Sequence, residues 1–210
     1  LEECDDCRVL TSDITVSGKA IFMRGRASGK PTKDTVIRGC RFRNCKGQGV
    51  GGHSTVGTKI HGCEFGPNPH WNNYTLGSEA IILHNSSNVR ISNCTFKDHG
   101  TAVSFVSGIN NDIAIWDCDF GNNAVYLGSP VKGSVLFDAE LKNCRWSFGN
   151  IPDFKKVDAL FIQGSEVYIS DCTIDAPLYG VLSTAGFPSV DGIFGRDVHF
   201  DGCRFDGVSQ

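Results

Sequence analysis

The chain has 210 residues, with 20 basic against 23 acidic side chains and a formal net charge of −3 at pH 7. That size and balance predict one domain over residues 1–210 and no polyanionic partner such as nucleic acid. No apolar run approaches the roughly 18 residues needed to cross a bilayer, so no membrane span is expected.

Residues 1–13 read as a lead-in or cap, and coils are expected over 14–206. Within that region one frame occurs seven times: an apolar residue, two of any kind, Cys, one of any kind, and a large apolar residue. In chain order it runs Ile37/Cys40/Phe42, Ile60/Cys63/Phe65, Ile91/Cys94/Phe96, Ile115/Cys118/Phe120, Leu141/Cys144/Trp146, Ile169/Cys172/Ile174 and Phe200/Cys203/Phe205. The cysteines are spaced by 23, 31, 24, 26, 28 and 31 residues, a period that marks a solenoid with variable insertions.

Upstream of each frame lies a short apolar segment with period-2 alternation, at 20–24, 49–53, 80–84, 102–106, 124–128, 159–163 and 180–184. Each coil therefore carries three short strands. The residue before each Cys reads Gly39, Gly62, Asn93, Asp117, Asn143, Asp171 and Gly202. These types tolerate a left-handed backbone, so a tight turn is predicted between the second and third strands. Parity places Ile81, Leu83, Ile91, Cys94 and Phe96 inward. Stacking coils at about 4.8 Å then builds columns of Ile/Val, Cys and Phe.

The run Glu-Ala-Ile-Ile-Leu-His-Asn-Ser-Ser-Asn-Val-Arg-Ile-Ser-Asn-Cys-Thr-Phe over residues 79–96 is close to the general repeat of the pectate-lyase-like class. The chain resembles that class over about 14–206. The resemblance implies an all-β fold: a single-stranded right-handed parallel β-helix of about seven coils, with a Cys ladder and an Asn/Asp/Gly turn column. The class includes lyases, hydrolases, epimerases and non-catalytic phage spikes.

Seven of the ten cysteines fall in one inward column. Stacked neighbours sit about a strand spacing apart, wider than the roughly 3.5–4.5 Å between Cβ atoms that a disulfide needs. They read as reduced core thiols. That favours folding in a reducing compartment, such as a virion appendage assembled in host cytoplasm. No signal peptide is visible, but Leu1 is not a natural start. The chain reads as a cleaved or truncated product, and secretion with loss of a signal is the other expectation. Cys4 and Cys7 form a lone C-x-x-C without the second pair that metal binding needs.

The resemblance places a substrate groove on the first strands. Outward residues there form two columns. One holds Phe22, Gly51, Ile82, Ser104, Tyr126, Phe161 and Leu182; the other holds Arg24, His53, His84, Val106, Gly128, Gln163 and Thr184. His53 and His84 are stacked neighbours with Arg24 one coil before them. β-Elimination of a uronate needs a base and a cation for the carboxylate, roles open to His53 or His84 and to Arg24.

The insertion at 66–78 offers Trp71 and Tyr74 for stacking on sugar faces, and His70, Asn72 and Asn73 for hydroxyls. Glu79 closes it. No cofactor is expected: the calcium-dependent lyases of the class carry several Asp on the groove strands, and none stands at those positions here. Glu64 and Asp119 share an outward column two coils apart, about 9.6 Å, but on the third strand rather than the groove strand.

The outward apolar residues Ile82, Tyr126, Phe161 and Leu182 predict a covered face, under loops or in a homotrimer interface. The functional expectation is a polysaccharide-binding domain, with lyase or glycoside hydrolase activity, as in a phage tailspike. The alternative is a non-catalytic receptor-binding shaft of a viral appendage.

Overall fold

The computed structural model describes residues 1, 4–15, 18–25, 30–45, 47–67, 79–97, 100–128, 134–148, 160–175, 182–183 and 196–206. The described segments form a stack of short strands arranged in three parallel faces, and every pairing between them is parallel. Among the described residues no helix is long and apolar enough to cross a membrane.

Face A contains β3 (Ile21–Arg24), β7 (Val50–His53), β11 (Ile81–His84), β14 (Thr101–Phe105), β17 (Ala124–Leu127), β20 (Leu160–Ile162) and β23 (Leu182–Ser183). Face B contains β1 (Arg8–Leu10), β5 (Val36–Arg38), β9 (Lys59–His61), β12 (Ser87–Ser92), β15 (Gly108–Trp116), β18 (Ser134–Lys142), β21 (Gly164–Ser170) and β24 (Arg196–Asp201). The short β4 (Thr32–Lys33) and β8 (Thr55–Val56) pair beside it. Face C contains β2 (Asp13–Thr15), β6 (Arg41–Arg43), β10 (Glu64–Phe65), β13 (Thr95–Phe96), β16 (Asp119–Gly121), β19 (Arg145–Ser147), β22 (Thr173–Asp175) and β25 (Arg204–Asp206).

The ladder starts earlier than its sequence suggests. β1 and β2 pair with β5 and β6, so residues 8–15 already form a rung, and the cap expected over 1–13 is partly rung. Faces B and C hold eight main rungs and face A seven. The frame begins at Ile37 because the first rung carries Thr11-Ser12 where later rungs carry the turn residue and Cys. Thr11 nevertheless takes the left-handed conformation there, at φ 45°.

The inward columns are as parity predicts. Ile37, Ile60, Ile91 and Ile115 are buried, as are Cys40, Cys63, Cys94, Cys118, Cys144 and Cys172. Phe42, Phe65, Phe96, Phe120 and Trp146 form one aromatic stack with centroid spacings of 4.7, 4.9, 5.2 and 4.7 Å. Those spacings match the distance between paired strands, so each ring lies on the one below. All eight cysteines outside the Cys4–Cys7 disulfide are free. Each ladder thiol donates to the carbonyl two residues before it, as Cys94 Sγ does to Ser92 O at 3.3 Å.

A buried polar column at the corner between faces A and B was not foreseen. Thr55 Oγ1 donates to Ser86 Oγ at 3.0 Å, and Ser86 N–H donates to Asn110 Oδ1 at 3.0 Å. These bonds satisfy the two hydroxyls and Asn110 Oδ1 in the core, while Asn110 Nδ2 stays without a partner.

One register differs from the parity reading. Leu182 pairs with Leu160, and Ser183 lies opposite Phe161. Leu182 therefore shares the register of Leu160 rather than that of Phe161, and period-2 counting across the long connection from the previous rung slipped by one residue. Two members of the outward apolar column are already covered. Within the single chain Ile82 is 5% exposed and Phe161 4%, and Tyr126 packs edge-on against Phe161. Ile82 and Phe161 thus meet the expectation of a covered face within one chain.

Candidate functional site

The site on face A follows from strand register. Arg24 lies opposite His53, and His53 opposite His84, on three successive rungs. Each of the three ends its strand, where parity turns the side chain outward. The imidazoles of His53 and His84 stack with centroids 5.9 Å apart and planes 22° apart. Arg24 and His53 are exposed, whereas His84 is half-buried.

A left-handed turn follows His53, His84 and Val106. Ser54, Asn85 and Ser107 have φ of 55°, 47° and 50°. These turns swing polar side chains back over the ring column. His84 Nδ1 lies 2.7 Å from the hydroxyl of Ser107, one rung on. His53 Nδ1 lies 3.0 Å from Ser54 Oγ, which also accepts a hydrogen bond from Asn85 Nδ2 at 3.3 Å. Val106, buried, follows His84 in the column and closes it.

Burial holds His84 below the ordinary histidine value of 6.5, and the neighbouring His53 and Lys19 push the same way. The imidazole is thus neutral near pH 7. When its Nδ1–H donates to Ser107, Nε2 keeps its lone pair and faces outward as a base. Lys19 is held close by its ammonium over the Phe22 ring, 4.4 Å from the centroid. Gly51 keeps the floor flat: a Cβ there would meet Phe22 at 2.8 Å and Gln48 Oε1 at 2.7 Å.

The other proposed ligands divide. His70, Trp71, Asn72, Asn73 and Tyr74 lie outside the described residues, as do Gly180 and Thr184. Glu79 is described and is 3% exposed, so it is buried beside β11 rather than open to a groove. Its position just before an apolar strand gave no sign of that burial. Among the described residues, the face A strands carry no Asp or Glu, and no group of three or more His, Cys, Asp or Glu side chains is arranged to hold a metal. Glu64 and Asp119 do share a column on face C, with Thr95 between them. Sequence reasoning found the histidine column but missed Ser107, because the serine acts across a turn from the next rung.

Solved structures similar to the chain include the following three. A family 28 exopolygalacturonase from Yersinia enterocolitica is 12% identical, with a TM-score of 0.43, over 89% of this chain and 44% of its own. The catalytic domain of a GH87 α-1,3-glucanase in complex with nigerose is 10% identical, with a TM-score of 0.41, over 97% of this chain and 55% of its own. QnrB1, a plasmid-mediated fluoroquinolone resistance protein, is 13% identical, with a TM-score of 0.27, over 95% of this chain and 91% of its own. The chain spans about half the length of the first two. Among curated proteins none matches. The family described as right handed beta helix region matches residues 1–183, most of the chain and all but the last rungs. Three parallel faces, a continuous inward stack and that match together make the chain a member of the right-handed β-helix family.

Proposed function

We propose that the chain binds a polysaccharide across β3, β7 and β11 and cleaves a uronate-containing chain there by β-elimination. The observation that carries this reading is the stacked His53–His84 pair, outward on neighbouring rungs, with Arg24 on the rung before. Rungs about 4.8 Å apart let an extended glycan lie across the strands and meet these side chains in succession.

His84 Nε2 takes the proton from C5 of the uronate. The C4–O bond then breaks, a C4–C5 double bond forms, and the leaving oxygen takes a proton from water. Arg24, with His53 when protonated, lies where negative charge builds on the carboxylate. Hydrolysis by two carboxylates is the less supported chemistry, because the described groove strands carry no Asp or Glu.

That same absence favours a second reading, a non-catalytic glycan-binding shaft of the kind found in viral appendages. A panel of acidic and neutral polysaccharides, followed for unsaturated uronate absorbance and for new reducing ends, separates the two. Lyase action yields the unsaturated product, and His84→Ala loses it. Binding without either product supports the shaft.

A further inference from the structure

We propose that the last described rung, β24 with β25, is an interaction surface for a second copy of this chain, whose first rung, β1 with β2, continues the stack. Burial of the inward columns stops at that rung. Ile169, Cys172 and Ile174 are each 1% exposed, whereas Phe200 and Phe205, next in the columns of Ile169 and Ile174, are 38% and 44% exposed. Two phenylalanines at core positions leave a large apolar area at the end of the stack.

The backbone defines what fits that end. The residue before a ladder Cys donates its N–H to the next rung, as Asp171 does to Asp201 O at 2.9 Å. The residue after the Cys donates to the previous rung, as Arg204 does to Cys172 O at 2.8 Å. Thr11 and Arg41 keep the rule at the first boundary, bonding to Arg38 O and Ser12 O. By that rule Gly202 N–H and Cys203 O are directed to a rung beyond β24 and β25. Leu10 O and Asp13 N–H are directed away from β5 and β6, and are the matching acceptor and donor. Leu10 O accepts the Ser12 hydroxyl at 2.9 Å and keeps a second lone pair.

The first rung also has the matching shape and charge. Asp6 and Thr11 have φ of 57° and 45°, in the two left-handed columns where the last rung has Asp197 at 54° and Gly202 at 60°. In that register the half-buried Val9 covers Phe200, and the half-buried Ile14 covers Phe205. Asp13 comes opposite Arg204, in the column where Arg41 already lies 4.0 Å from Asp13 and 3.2 Å from Glu64. The Arg204 and Asp13 side chains are each 74% exposed. The Arg204 guanidinium holds Asp206 through Nε at 2.6 Å and has further N–H groups for Asp13. Asp6 falls on Asp197, in a column that already stacks Asp112, Asp138 and Glu166 on successive rungs. The contact joins opposite ends of the molecule, so it does not close on itself, and copies add into a filament.

Sedimentation of the 210-residue chain over a range of concentrations, with no sugar present, tests the proposal. The mass climbs with concentration past two copies. Phe205→Asp blocks the last rung, and Asp13→Pro removes the N–H directed away from β6, at an edge-strand position that tolerates proline. Each variant alone is monomeric, and an equimolar mixture forms dimers and nothing larger, because each supplies the end that the other lacks. Arg204→Glu, at an exposed position, weakens association about ten-fold by setting two like charges together. His84→Ala associates as the unaltered chain does. An unchanged melting temperature shows that the variants are folded. An unaltered chain that stays monomeric, one that closes at two or three copies, or a variant mixture without dimers overturns the proposal.

Discussion

His84 shows how a single residue takes its character from its neighbours. Burial lowers its proton affinity, and the adjacent imidazole lowers it further. Replacing His53 with Ala removes one of those causes, so the His84 titration, followed by NMR of its ring protons, shifts to higher pH. No movement, or a downward one, contradicts the stacked pair. The sign for stability follows from linkage. A histidine whose folded pKa is depressed contributes stability that is present above about 6.5 and is lost as pH falls through the depressed value. The acid limb of activity likewise lies below 6.5, because the base stays unprotonated to lower pH.

The cysteines are the second residue-scale case. Hydrogen bonds with Cys144 and Cys94, together with burial, push the Cys118 thiol well above the ordinary range, which keeps it protonated and inert in the fold. Thiol titration of denatured, unreduced protein should find the eight free groups, rising to ten on reduction. Two or fewer before reduction contradicts the ladder.

At the scale of the element, the strands depend on turns that require a left-handed backbone. Asn93 sits at φ 52°, and in the same column the Asn143 amide donates to Asp117 Oδ1 at 2.7 Å. Asn93→Val should lower stability by about 1–2 kcal/mol in denaturant unfolding, because a β-branched side chain crowds this conformation. Gly164 opens β21 directly against the Leu136 carbonyl of β18. Gly164→Ala should cost about 1–3 kcal/mol by the same measurement, since backbone rather than a side chain has to move. No loss in either variant means the rung is packed differently.

The turn before each Cys was legible because the cysteine marks its place. Two further left-handed columns were not. One is Ser54, Asn85 and Ser107; the other is Asp34, Gly57, Asn88, Asp112, Asp138, Glu166 and Asp197. Ser looks like an ordinary surface residue, and the second column, although it stands three residues before the first apolar residue of the frame in every rung, lies inside a continuous strand in most of them, where period-2 alternation gives no sign of a turn. The first of these columns brings Ser107 over His84, so part of the site lay hidden with it.

For the whole molecule, the stack turns a one-dimensional repeat into three long faces. The repeat was readable because each inward column keeps one residue type through many rungs, as the aromatic stack from Phe42 to Trp146 does. The burial of the outward apolar column was not readable, because parity assigns Ile82 and Phe161 outward and does not say whether an outward side chain is covered. Arg24, His53 and His84 are brought together across 60 residues only by the stacking of rungs. A function for that column is therefore best tested by chemistry that needs the rungs in register. The most direct measurement is the rate of unsaturated uronate formation from an acidic polysaccharide by the unaltered chain and by His84→Ala. The groove reading predicts turnover that falls by roughly 10²–10⁴ in the variant, the range for losing a general base. Equal turnover in folded His84→Ala, or none in the unaltered chain on any uronate polymer, contradicts it.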